Sequence, residues 1–315
     1  MFLICGEALF DLFGDNTPGD SVAFDARIGG SPFNVAMGLA RLGEEAAFFG
    51  GISRDALGEK LVEKFRTEGV SERYILRTDY LTTLSLVQKD AHGSPAYTFY
   101  GANAADRMVT ETDLPTFDTP PAFLHIGSYT ALVEPVASAL KKLIAREKPH
   151  TLISFDPNIR PTVVSDMDLW RDNTEALVPL TDLIKVSDED LELIAPGEPV
   201  DKIARNWLAA GAGLVIVTRG GDGATAFAPG TEIDCPGVKV TVEDTVGAGD
   251  TFQAALLAGL RHLGATSRAA LENLQQEQLR RLVEFAVTAA GITCSRRGAD
   301  LPRKAELEKE WAGLK

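Results

Sequence analysis

The chain has 315 residues, 45% of them apolar, enough to bury a substantial core as one large domain or as one domain with an appendage. Its formal net charge of −14 disfavours nucleic acid as a partner, because phosphate neutralisation requires a basic surface. Cys5, Cys235 and Cys294 are widely spaced, without CxxC or histidine companions, so neither a disulfide framework nor a zinc site is indicated and buried small apolar residues are expected. The opening Met1-Phe2-Leu3-Ile4-Cys5 is too short for a signal h-region, and no apolar run approaches membrane-spanning length. A cytoplasmic protein without a membrane partner is expected.

In chain order, residues 2–5 read as a strand, and residues 10–13 and 22–28 alternate apolar and polar positions. Gly29-Gly30-Ser31-Pro32-Phe33-Asn34 then runs into a short helix closed by Gly43. Paired glycines let a ligand lie against the backbone, and Asn34 offers a donor and an acceptor to a hydroxyl pair. Residues 46–49 form the next strand, followed by the helical pattern of Leu57, Leu61, Val62 and Phe65. Residues 83–89 and 96–100 are short strand-like runs flanking Asp90-Ala91-His92-Gly93-Ser94-Pro95, a hairpin with a longer turn. With 10–13 and 22–28 they make a small projecting sheet, or else extend the central sheet at one edge. Beyond them, strands at 123–126, 151–155, 183–186 and 214–218 alternate with helical patterns such as Val136, Leu140, Leu143 and Ile144. Such alternation predicts an α/β fold with a mostly parallel sheet and helices on both faces, read as one continuous domain.

The most informative stretch is Asp244-Thr245-Val246-Gly247-Ala248-Gly249-Asp250-Thr251-Phe252. Small residues at 247 to 249 let successive N–H groups approach an anion. Phe252, Ala255, Leu256, Leu260 and Leu263 then recur at helical spacing, so the loop opens a helix with free N–H groups and a positive dipole end. Asp250 stands where an anionic oxygen and its attacking alcohol would meet; the plainer alternative is an ordinary first-turn acid. A P-loop motif is absent. Gly221-Asp222-Gly223-Ala224-Thr225-Ala226 fits a relaxed dinucleotide pattern, but Phe227-Ala228-Pro229-Gly230 cannot continue a helix, so it reads as a turn between two strands.

Together the two glycine clusters resemble the signatures of the ribokinase-like (pfkB) family of carbohydrate kinases. Gly6-Glu7 with Asp11, Phe155-Asp156-Pro157-Asn158-Ile159-Arg160, Lys185-Val186-Ser187-Asp188-Glu189 and Thr218-Arg219-Gly220-Gly221-Asp222-Gly223 extend the resemblance over almost the whole chain. It implies a three-layer α/β/α sandwich of residues 1–315, with a β-sheet lid built from about 10–28 and 80–106, and a homodimer through that lid. The implied activity is transfer of the γ-phosphate of ATP to a primary hydroxyl of a sugar. The wording of the segments is most similar to bacterial fructokinases, with a 2-dehydro-3-deoxygluconate kinase or ribokinase behind, and a sugar-binding regulator retaining the fold as the rival outside the enzymes.

The resemblance also distributes roles. Asp250 would be the base, with Gly247, Ala248 and Gly249 as the anion hole. Asp11, Gly29, Gly30 and Asn34 would bind sugar hydroxyls, with Tyr97, Phe99 and Arg160 beside them. Lys185, Ser187, Thr218, Gly220 and Gly223 would lie at the nucleotide, and Ala289 and Ala290 would line an adenine slot. Mg²⁺ would bridge the phosphates, with Asp190 reaching it through water; Asp188, Glu189 and Asp190 could equally be a solvated helix start. Asp244 and Gly298 mark the segments expected to hold K⁺. One departure is that Phe99-Tyr100 lacks a closely following arginine, which Arg107 could replace from a different position.

Overall fold

The computed structural model describes residues 1–15, 21–89 and 95–314. Strand β1 (Phe2–Cys5) is buried at every position. Phe2 and Ile4 enter one apolar cluster, whereas Leu3 and Cys5 enter another. This division follows from the period of two in a strand, and a strand covered on both faces is the mark of a parallel sheet between helical layers.

After β1 the chain leaves the main sheet for β2 (Leu9–Asp15) and β3 (Ala23–Gly29), and returns through α1 (Ser31–Arg41) to β4 (Ala46–Ser53), α2 (Ala56–Glu68) and β5 (Ile75–Thr78). A second excursion forms β6 (Leu84–Lys89) and β7 (Pro95–Tyr100). The remaining units are β8 (Phe123–Gly127), α3 (Val136–Glu147), β9 (Leu152–Asp156), α4 (Met167–Leu177), β10 (Leu183–Ser187), α5 (Asp188–Ile194), α6 (Val200–Ala210) and β11 (Leu214–Thr218). The hairpin of β12 (Ala224–Ala228) and β13 (Thr231–Cys235) is followed by α7 (Ala248–His262), α8 (Arg268–Glu272) and α9 (Gln276–Cys294).

Among the described residues the central sheet has the order β13-β12-β11-β10-β9-β8-β1-β4-β5. Its pairings are parallel except for β11–β12 and β12–β13. Residues of α1, α7 and α9 share one cluster, while α3 covers the opposite face and α4 to α6 continue that cover. The turn read at Gly220–Gly223 does join two strands, β11 and β12, and no dinucleotide-type helix follows it.

Strands β2, β3, β6 and β7 make a separate four-stranded sheet of order β3-β2-β6-β7, so they do not extend the central sheet at its edge. Most of the turn of the 83–100 hairpin, residues 90–94, lies outside the described residues. The register sets Arg27, Asp11, Ser85 and Phe99 side by side across the four strands. Residues in such a row share one face of a sheet. That face turns toward the carboxyl ends of the central strands, because Phe99 meets Tyr129, just beyond β8, edge to face at 6.1 Å. Two sheets thus enclose a cleft at the strand ends where α/β folds place ligands. Among the described residues no helix is long and apolar enough to cross a membrane.

Candidate active site

The site begins with the way α7 starts. Gly247 caps the helix at φ +78°, and a Cβ there would stand 2.6 Å from that of Ala299. Only glycine meets both demands without strain. The loop before it is tied down by Asp244, whose carboxylate accepts the N–H groups of Val246 at 3.1 Å and Gly298 at 2.9 Å. The predicted pair Asp244 and Gly298 is therefore brought together. The N–H of Ala248 is donated to the Thr245 carbonyl at 3.2 Å, whereas among the described residues those of Gly249 and Asp250 have no backbone acceptor. Of the expected donors Ala248 closes a turn, while the Gly247 N–H, like those of Gly249 and Asp250, has no backbone acceptor among the described residues.

Asp250 projects from this first turn toward the start of α1. It accepts the Ser31 hydroxyl at 2.6 Å and the Asn34 amide at 2.8 Å. Burial raises its pKa, against the opposing effects of Ser31, Asn34 and the Lys185 ammonium, while Asp156 pushes it further up. A carboxylate with a raised pKa, oriented by two donors, is suited to accept a proton. Asn34 was expected at the sugar and does lie in the cleft, where it also orients Asp250. Sequence reasoning assigns Ser31 no role; its place at the opening of α1, straight after the paired glycines, is the available signal.

The sugar-side residues converge on the same cleft. Asp11 lies against Gly29, and Gly30 approaches the backbone oxygen of Glu7. Burial raises the Asp11 pKa, opposed by neighbouring Ser85 and by Arg160, which places the charge of Arg160 within reach of Asp11. Phe99 is half-buried against Tyr129. Tyr97 stands opposite Val87 in the strand register, and its side chain falls outside the described set. Arg107 lies over the Tyr129 ring at 5.0 Å and under Gly101, so an arginine does stand behind the lid's aromatic wall. Asp106, buried, joins the root of the lid to this wall by accepting the Thr83 hydroxyl at 2.5 Å and that of Tyr129 at 2.7 Å. Sequence reasoning did not find the Asp106–Tyr129 pair, since the two residues lie in separate segments and no motif links them.

On the nucleotide side, Thr218 ends β11, and Gly220 and Gly223 have positive φ in the turn that follows. Around Gly220 and Gly221 a Cβ would meet open space. Ser187 caps α5 by accepting the Asp190 N–H at 3.0 Å, and Asp190 itself accepts the Ile159 N–H at 3.0 Å. Asp190 is buried and so is not a solvated helix start. Lys185, expected at the nucleotide, is buried in an ion pair with Asp156 at 2.8 Å. Ala289 is fully buried in the core with residues of α7, and Ala290 packs partly against the same cluster.

Glu7, at the end of β1, is buried beside Thr130, which donates its hydroxyl at 2.9 Å. Burial pushes the Glu7 pKa up to about 7. An acid raised in this way favours the folded state most below its ordinary range, and that contribution fades as pH rises toward 7. Glu7→Gln, which mimics the protonated form, should therefore gain stability over the parent between pH 5 and pH 8, on the order of 3 kcal/mol. Denaturant unfolding at the two pH values checks this; a gap that does not widen would contradict it.

The profile describing pfkB family carbohydrate kinases matches residues 4–306. A fructokinase of Rhizobium leguminosarum bv. trifolii is 36% identical over 89% of this chain and 86% of that protein. The crystal structure of a Xylella fastidiosa fructokinase with bound ATP superposes with a TM-score of 0.89 at 25% identity, covering 99% of this chain and 98% of that one. A Vibrio cholerae O395 fructokinase bound to fructose, ADP and calcium gives a TM-score of 0.82 at 27% identity, covering 98% of both chains.

Proposed function

The chain belongs to the pfkB family of carbohydrate kinases, and from that premise we propose that it transfers the γ-phosphoryl group of ATP to a primary hydroxyl of fructose. The observation that carries this reading is Asp250, half-buried at the helix entry, bonded to Ser31 and Asn34, and sharing a cleft with the Asp11 row of the small sheet. A binding module would have no use for a base held in that position. ATP bound to the Xylella protein and fructose bound to the Vibrio protein support the two substrates.

In this mechanism the primary hydroxyl approaches Asp250, which accepts its proton as the oxygen attacks the γ-phosphorus. The new O–P bond forms as the bond from γ-phosphorus to the β-bridging oxygen breaks, and ADP departs. The N–H groups of Gly249 and Asp250 and the positive end of α7 face the charge on the transferring oxygens. Asp11 accepts hydroxyl hydrogens and fixes the sugar's orientation. Mg²⁺ would neutralise phosphate charge. Such an ion keeps several waters and binds largely through substrate phosphates, so it needs few protein ligands. Asp190 would reach it through water, and the strapped segments at Asp244 and Gly298 would hold K⁺ through backbone oxygens.

The small sheet acts as a lid in this reading, excluding water that would otherwise accept the phosphoryl group. Fructose should slow amide exchange across 84–89 and 95–100 more than across residues 277–290 of α9. Equal protection of both regions would remove the lid from the account.

Substrate assignment is tested by kcat/KM with ATP for fructose, ribose and 2-dehydro-3-deoxygluconate. Fructose should give the largest value. A much larger value for either competitor would overturn fructose while leaving the kinase class intact.

A further inference from the structure

The Lys185–Asp156 pair lies under the catalytic helix entry, and nothing in the proposed phosphoryl transfer yet uses it. Lys185 rises from β10 and Asp156 from the end of the adjacent strand β9, both almost completely buried. Their 2.8 Å contact is aimed at α7: a Cβ on Gly249 would stand 3.0 Å from the Lys185 ammonium. A glycine at 249 thus lets the cation sit directly beneath the residue that precedes Asp250. One carboxylate oxygen of Asp156, Oδ1, has no hydrogen-bond partner among the described residues, so the pair is held by a single contact and its charges are not consumed by a wider network.

A buried lysine ammonium carries three donors, and a single carboxylate contact satisfies only one of them. Here the ammonium is shared. Burial opposes its charge, but Asp156, Asp190 and Asp250 together outweigh burial and raise its pKa. Seen from Asp250, the charged groups that face it are Lys185 from β10 and Asp156 from β9, while α1 contributes only the neutral Ser31 and Asn34.

We propose that Lys185 and Asp156 form a positioning pair whose two opposed charges set the proton affinity of the catalytic base from beneath the anion hole. The pair acts through Asp250 and through the Gly249 backbone. This inference rests on Asp250 being the base. Lys185 favours the ionised base that accepts the hydroxyl proton, and Asp156 tempers that effect so the carboxylate does not become too weak a base.

The two halves of the pair should therefore move the acidic limb of the pH profile in opposite directions. With ATP, Mg²⁺ and fructose saturating at every pH, Lys185→Met should shift the acidic limb of kcat upward by about one pH unit, and Asp156→Asn should shift it downward. On the acidic side, a one-unit upward shift lowers kcat about tenfold. A purely structural pair would lower kcat in both variants without separating the limbs. Limbs that stay at the parent position, or move in the same direction, in variants whose circular dichroism matches the parent would overturn the proposal. If Lys185→Met does not fold, Asp156→Asn still decides, because a limb that fails to move downward contradicts the role assigned to the pair. Asp250→Asn measured alongside separates the two levels: full turnover in that variant would defeat the base assignment itself, whereas loss of turnover with unmoved limbs would defeat only the pair.

Discussion

Asp250→Asn should lower kcat by about 10²- to 10⁴-fold while leaving fructose affinity largely intact. The substitution keeps the side-chain shape at the head of α7 but removes the proton acceptor. It also disturbs the local hydrogen bonds in a predictable way: Ser31 and Asn34 both donate to Asp250, and an asparagine can accept only through its one carbonyl oxygen. Steady-state kinetics, with fructose binding measured separately by calorimetry, distinguish loss of the chemical step from loss of the site. Near-parental turnover would remove Asp250 from the mechanism, and a collapse of binding alone would make it a sugar ligand.

The second large effect is expected at Gly247. Its φ of +78° lies in the left-handed region, where an L side chain costs about 1–2 kcal/mol, and a Cβ would stand 2.6 Å from that of Ala299. Gly247→Ala must therefore displace either the 296–300 segment or the first turn of α7. Because the transferring phosphoryl group is stabilised by that turn, kcat should fall about 10²- to 10³-fold, with a much smaller change in fructose KM. Parental kcat in Gly247→Ala would show that the helix entry does not stabilise the transition state.

The fold was legible where buried strands have uninterrupted apolar runs, whereas β4, buried throughout Ala46–Ser53, was read only to Phe49 because Gly50-Gly51 breaks its run. Phe2–Cys5 and Leu214–Thr218 have the bounds read from their apolar runs, because a strand covered on both faces has no polar face to blur its pattern. The strand β5 escaped notice since Ile75–Thr78 is short and only partly buried at all four positions. The separation of the small sheet from the central one could be suspected from the interrupted alternation, but pairing β2 in parallel with β6 is a long-range choice that no local pattern encodes.

At the site, residues carried by continuous motifs were found and those joined across the chain were not. Asp250, Asn34 and Asp11 stand in segments whose glycines announce a ligand. The partners Asp106 and Tyr129 carry no such punctuation, and their contact depends on where two loops meet. Lys185 shows a third case: its type and position drew attention, yet only burial and the proximity of Gly249 reveal that it faces the catalytic helix from below. Ala289 shows the converse, since small residues that permit close helix packing look the same as small residues that line a slot.

The most direct test of the central claim is the initial rate of ADP release from Mg·ATP, measured with and without fructose on the full chain. The proposed mechanism predicts a low rate with ATP alone and a large, saturable increase on adding fructose, matched mole for mole by fructose phosphorylated at a primary hydroxyl. ADP release that fructose and the other sugars leave unchanged, alongside measurable sugar binding, would contradict it and identify a sugar-responsive binding protein on a kinase fold.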